Sequence, residues 1–144
     1  MVLASILVGC MPAPRKDPQC KLREQEILQK LKGPSRTADV QVTGEWGGQP
    51  NNGITWVMNQ RGSRVKIDVG QLERDDHGRE HYQIAGTMDG VIEGATLYYH
   101  ERGRPGESSF GRMTVGGGQM TGPRWATGGG ECYLVPTFKR IRLQ

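Results

Sequence analysis

The stretch Arg61-Gly62-Ser63-Arg64-Val65-Lys66-Ile67-Asp68-Val69 decides the fold class. Val65, Ile67 and Val69 alternate with Arg64, Lys66 and Asp68, and this period of two predicts a strand with one apolar and one wet face. Working outward, the same reading gives strands over 40–46, 54–60, 81–87, 91–99, 110–115, 119–125 and 132–143, separated by short turns containing Gly, Asn or Asp. With 64–69 that makes eight. No helical segment interrupts them, which argues against βαβ units and a parallel sheet.

Two turns shape the expected sheet. Met88-Asp89-Gly90-Val91-Ile92-Glu93-Gly94 carries an Asp-Gly hairpin signal, and Gly117-Gly118-Gln119-Met120-Thr121-Gly122 repeats its essentials. The second glycine of each unit, Gly94 and Gly122, is expected inside a strand, at a bend or where another backbone comes close. Successive hairpins with such bends curl until their edges meet. The fold class is therefore mainly β, an antiparallel up-and-down barrel of about eight strands with one short N-terminal helix. A five-stranded OB-like barrel is the alternative.

The 144 residues suit one globular domain, and a hydrophobic fraction of 35 % supplies one modest core. Twenty-two glycines against two phenylalanines mean many turns and few large core residues. Nineteen Lys and Arg against fifteen Asp and Glu leave a net charge of +4, too small by itself to select a nucleic-acid partner. The helix is expected over 21–32, KLREQEILQKLK, where Leu22, Ile27, Leu28 and Leu31 form a partial apolar stripe. Gly33-Pro34 stops it, and it reads as a packing element lying on the domain.

The chain opens with an uncharged apolar run from Val2 to Gly9 that ends at Cys10. It is too short to span a bilayer, which takes roughly 20 apolar residues. Leu7-Val8-Gly9-Cys10 resembles the lipobox of bacterial lipoproteins, without the basic residues that ordinarily precede the apolar run. That resemblance implies that residues 1–9 are a signal remnant and that Cys10 is lipidated. Residues 10–19, with Pro12, Pro14 and Pro18, then read as a stiff tether, and 20–144 as a single β-barrel domain with its preceding helix. The implied location is the bacterial cell envelope, lipid-anchored and facing the periplasm or the cell surface. With Cys10 consumed, Cys20 and Cys132 remain as a pair for one disulfide in an oxidising compartment; two buried free thiols in a cytoplasmic protein are the other reading.

Gly44-Glu45-Trp46 resembles the Gly-x-Trp signature of the calycin barrels, the lipocalin and avidin-like group, although the second lipocalin motif has no counterpart here. In that group a basic side chain of the last strand packs across the tryptophan and closes the barrel end; the resemblance assigns this to Arg140 or Arg142. A guanidinium stacks well on an indole face in any case.

Catalysis finds little in the sequence. Asp75-Asp76-His77-Gly78-Arg79-Glu80-His81 offers metal-ligand types at no zinc spacing, so His77, His81 and His100 are weak metal candidates and the stretch reads first as a charged turn. Ser108-Ser109 lacks a nucleophile elbow, and the glycine runs 116–118 and 128–130 lack a following helix and lysine. A nucleic-acid module would use Arg61, Arg64, Lys66, Lys139, Arg140 and Arg142, with Tyr98, Tyr99, Trp56 or Trp125 as stacking faces. Acidic residues from Glu73 to Glu101 interrupt that charge.

The expectation is a non-enzymatic cell-envelope protein with no cofactor and no nucleic acid, held at the membrane by its lipid. It would bind a small apolar ligand or an envelope protein, in the latter case as an inhibitor or assembly factor; a metal-dependent enzyme and an OB-like nucleic-acid binder are alternatives. Strand alternation offers Trp56, Met58, Ile67, Ile84, Met113 and Met120 as pocket lining or ordinary core. Rim recognition would fall on the exposed loop around Arg104, and the sequence leaves the oligomeric state open.

Overall fold

The computed structural model describes residues 14–48 and 53–143, and for residues 136–138 the backbone alone. A two-residue strand, β1 (Arg15–Lys16), precedes one helix, α1 (Cys20–Lys32). Eight strands follow: β2 (Gly44–Gly48), β3 (Ile54–Arg61), β4 (Arg64–Arg74), β5 (Glu80–Glu93), β6 (Thr96–Arg102), β7 (Ser108–Gly116), β8 (Gln119–Gly128) and β9 (Glu131–Arg142). Each pairs antiparallel with the next, and β9 pairs with both β8 and β2, so the sheet closes on itself. This next-neighbour closure is an up-and-down barrel rather than the five-stranded OB-like alternative.

The expected alternation holds in the first part of β4, where Val65 and Ile67 are buried, Lys66 is exposed and Val69 packs against the core. Inward side chains of β2 to β8 meet in one apolar core that includes Trp46, Trp56, Met58, Ile67, Leu97, Tyr99, Met113 and Met120, and β9 adds the buried Arg140. Arg142 stacks on Trp46, with its guanidinium carbon 4.5 Å from the ring centre, and its nitrogens donate to the Thr43 and Gln41 carbonyls. Trp46 Nε1 donates to the Val42 carbonyl at 2.8 Å, so the segment before β2 folds across that barrel end instead of extending the strand back to residue 40. Arg140 stacks on the next indole, Trp56, also at 4.5 Å.

Helix α1 lies across the outside of β5, β6, β7 and β9. It buries Cys20 and Ile27 against a second cluster, Phe110 and Trp125, with Leu31, Tyr98 and Leu134 packed around it. Leu22, read as part of the apolar stripe, is exposed. The helix ends at Gly33, whose N–H donates to the Gln29 carbonyl. Part of the segment read as a tether is docked: Arg15 and Lys16 pair with Leu134 and Tyr133, and Asp17 accepts from Trp125 Nε1. Cys10 and the apolar run before it lie outside the described residues. No helix among the described residues is long and apolar enough to cross a membrane.

Two expectations about register are corrected. Asp89-Gly90 is not a turn: β5 runs straight through it, Gly90 pairing with Val65 on one side and Tyr99 on the other. A Cβ on Gly90 would stand 3.0 Å from Leu97 Cδ1, so the missing side chain serves close packing. The hairpin falls instead at Gly94-Ala95, where Gly94 has a φ of 63°. Gly122 does sit inside a strand, beside a register shift, and a Cβ there would meet the Arg112 carbonyl oxygen at 1.9 Å. Ile84, expected among the inward residues, is 65 % exposed. Val69 pairs with Gly86 but Gly70 pairs with Ile84, so a bulge at Ala85 turns Ile84 outward, because one extra residue reverses the facing of everything beyond it.

Candidate functional site

The barrel interior is occupied by side chains. Of the six pocket candidates, Trp56, Met58, Ile67, Met113 and Met120 are each 3 % exposed or less and belong to the same core cluster. Their burial and mutual packing are those of core, to which the three thioethers adapt readily. Arg140 is itself buried, donating from Nη1 to the Ile54 carbonyl, and desolvation lowers its pKa to about 10. Tyr99 sits edge-on to Trp56 with its hydroxyl fully enclosed, and burial pushes that hydroxyl's pKa up.

The chemistry open to solvent is on the outer wall and the rim. The β4–β5 hairpin outruns its neighbours: its last contact with β3 pairs Ile54 with Gln71, while the β5–β6 ladder stops at Asp89 and His100. From Glu80 to Met88, β5 therefore has no ladder partner on the β6 side among the described residues. Tyr82 and Ile84 stand on the outward face of this hairpin, 56 % and 65 % exposed, opposite Leu72 and Gly70. The tip is an Asp75 turn, in which the Asp75 carboxylate accepts from the N–H groups of His77 and Arg79. Sequence reasoning missed this surface, because the projection of the hairpin beyond both neighbouring ladders, together with the bulge, leaves Ile84 in solvent.

Between α1 and the wall formed by β3, β4, β5 and β6 runs a groove of about 860 Å³. Leu28, Leu31 and Lys32 form its helical side; Asn59, Arg61, Arg64, Lys66, Asp89, His100 and Arg102 line the strand side. A second hollow continues it toward Arg104 and the 103–107 loop, sharing Leu28, His100 and Arg102. That loop is closed by the N–H of Glu107 donating to the Arg104 carbonyl, and the Arg104 side chain is exposed.

Polar and covalent contacts add to the apolar packing that holds α1 in place. Cys20 and Cys132 form a disulfide with Cα atoms 6.1 Å apart, a bond at home in an oxidising, extracytoplasmic compartment. Glu24 Oε2 lies 2.8 Å from His100 Nε2 and accepts from Ser108 Oγ at 2.6 Å. Burial alone would raise the Glu24 pKa, but the hydrogen bonds from Ser108 and His100 outweigh it and hold the carboxyl below its ordinary value. Ser108 donates to the carboxylate and the imidazole addresses the same oxygen, so the trio ties α1 to β6 and β7. Lys30 and Arg36 both pair with Glu93.

The three histidines are spread out. His77 is at the hairpin tip, His81 is 3.9 Å from Glu73, and His100 lies under α1 against Phe110. Among the described residues no group of three or more His, Cys, Asp or Glu side chains is placed to hold a metal ion. The basic residues named for nucleic acid also divide: Arg61, Arg64 and Lys66 face the groove, Arg140 is inside the barrel, and Arg142 is spent on Trp46 and two carbonyls. Tyr99, Trp56 and Trp125 are buried, and Tyr98 is partly covered by the Lys30 ammonium. Comparison with protein-family models, curated proteins and solved structures returned no match.

Proposed function

We propose that this chain is a non-enzymatic binding protein of the bacterial cell envelope, anchored through lipid on Cys10, that recognises an envelope protein with the rim of its barrel rather than holding a ligand inside it. The observation that carries this reading is the β4–β5 hairpin: a projecting strand edge without a ladder partner, bearing Tyr82 and Ile84 in solvent, on a barrel whose interior is packed. An open edge of this kind pairs with an extended segment of another chain, its backbone supplying affinity and the neighbouring side chains supplying selectivity. The disulfide supports an extracytoplasmic setting, and the Arg142–Trp46 stack supports kinship with the calycin barrels, many of which instead keep the interior open.

The test is site-specific photocrosslinking in the native host from positions 82 and 84 of the full-length protein, with position 57, exposed on β3 two strands away from the open edge, as control. The expected result is one discrete crosslinked partner from 82 and 84 and none from 57, lost when Ile84→Asp is combined with crosslinking from 82. Equal labelling from all three positions, or none from 82 and 84, overturns the reading.

A further inference from the structure

The groove beside α1 lies on the outer wall under the helix, and we infer that it is a binding site for a phosphate ester. Its lining carries five cationic side chains, Lys32, Arg61, Arg64, Lys66 and Arg102, against one carboxylate, Asp89. The excess of four equals the net charge of the whole chain, so a molecule whose charges are otherwise mixed gathers its surplus in one concavity.

Two of the five cations are committed. Lys66 Nζ pairs with Asp89 at 2.7 Å, cancelling the one carboxylate. Arg64 donates to the Leu31 and Gly33 carbonyls at the end of α1, which neutralises the partial negative charge that a helix C-terminus would present to an incoming anion. Lys32, Arg61 and Arg102 make no salt bridge among the described residues, and Arg102 acts on the Glu24 carboxylate only at longer range. They approach the groove from three elements, α1, β3 and β6.

A second observation points the same way. Arg61 and Arg64 are direct cross-strand partners at the closing position of the β3–β4 hairpin, and like charges facing each other across a ladder destabilise it. Arg64 is held at the helix end, so an anion seated against Arg61 relieves that repulsion. Forked guanidiniums match the oxygens of a tetrahedral phosphate, and two of the three free cations are arginines. The groove volume suits a small ligand, and Leu28 and Leu31 give its helical side an apolar stretch that accommodates the ester's carbon portion.

The phosphate can belong to a soluble ester or to a phospholipid headgroup, and the experiment separates the two. The full chain, left unlipidated by Cys10→Ser and with its Cys20–Cys132 disulfide intact, is titrated with inorganic pyrophosphate by NMR and is separately floated with vesicles of phosphatidylglycerol or of phosphatidylcholine. The expected result is saturable shifts of the Asn59, Lys66 and Arg102 amides with pyrophosphate, or flotation with the anionic vesicles alone. In either case the affinity should weaken about tenfold or more in Arg61→Ala/Arg102→Ala and fall with added salt. Pyrophosphate binding identifies the soluble source; binding confined to phosphatidylglycerol identifies the headgroup. Thermal melts establish that the variant is folded, and Lys32→Glu, exposed at the helix end, provides an independent charge reversal. No binding of either probe by the native protein, shifts confined to other surfaces, or binding unchanged in both variants overturns the inference.

Discussion

Replacing Gly122 by alanine adds one methyl group at the most crowded glycine of the barrel. That methyl would stand 1.9 Å from the Arg112 carbonyl oxygen and 3.0 Å from Met113 Cα, all of it backbone. A relaxed carbon–oxygen contact is about 3.3 Å, so β7 and β8 would have to part by more than ~1 Å. The obstacle is backbone, which cannot swing aside as a side chain could, and it is pinned on both sides by the pairs Gly111 with Arg124 and Thr114 with Thr121. Overpacking of this kind costs about 3 kcal/mol, which for a chain of this size lowers the melting midpoint by roughly 10 °C. Gly116→Ala is the internal control, since nothing lies within 4 Å of its Cβ position; its expected cost is within about 0.5 kcal/mol. Urea unfolding of the two variants and the parent, under fixed oxidising conditions, gives the comparison. Equal stabilities for Gly122→Ala and Gly116→Ala would refute the close approach of β7 to β8.

Serine at both Cys20 and Cys132 removes a cross-link spanning 112 residues, and the resulting unfolded-state entropy gain is expected to lower stability by about 3–5 kcal/mol, read from urea midpoints of the oxidised parent and the variant. Ile67→Ala is expected to cost about 2–4 kcal/mol and Ile84→Asp less than about 0.5 kcal/mol, a contrast that thermal unfolding resolves and that follows from the bulge at Ala85. Asp17 and Glu24 are both held below their ordinary values in the folded chain, Asp17 chiefly by the Gln19 N–H and Glu24 by bonds that outweigh burial. Since depressed carboxyl pKa values contribute stability that is present at neutral pH and lost as pH falls through the folded values, the hold on α1 should weaken in acid below about pH 4. Hydrogen exchange of the α1 amides checks this, and Glu24→Gln should flatten part of the response.

The sequence exposed the strands and their order far better than their register. Val65, Ile67 and Val69 could be read because alternation is a property of one strand. Asp89-Gly90 misled because a turn dipeptide is a local signal, whereas Gly90 is fixed by Leu97 and Tyr98 reaching it from the neighbouring strand. Ile84 was assigned to the core for a related reason: the Ala85 bulge is a feature of pairing with β4, invisible along β5 alone. The Trp46–Arg142 contact was legible because both the motif and the stacking chemistry pointed to it. The groove was not legible. Its cations come from α1, β3, β4 and β6, and only closure of the sheet under the helix brings them to one place.

The central claim, a packed interior with function on the outer surface, is tested most directly by native mass spectrometry of the protein extracted from its host without denaturation. The expected spectrum shows the oxidised chain with lipid on Cys10, alone and in a complex with one further polypeptide that Tyr82→Asp/Ile84→Asp dissolves. An apolar small molecule that stays bound through extraction, is released only on unfolding, and is unaffected by that double substitution would contradict it.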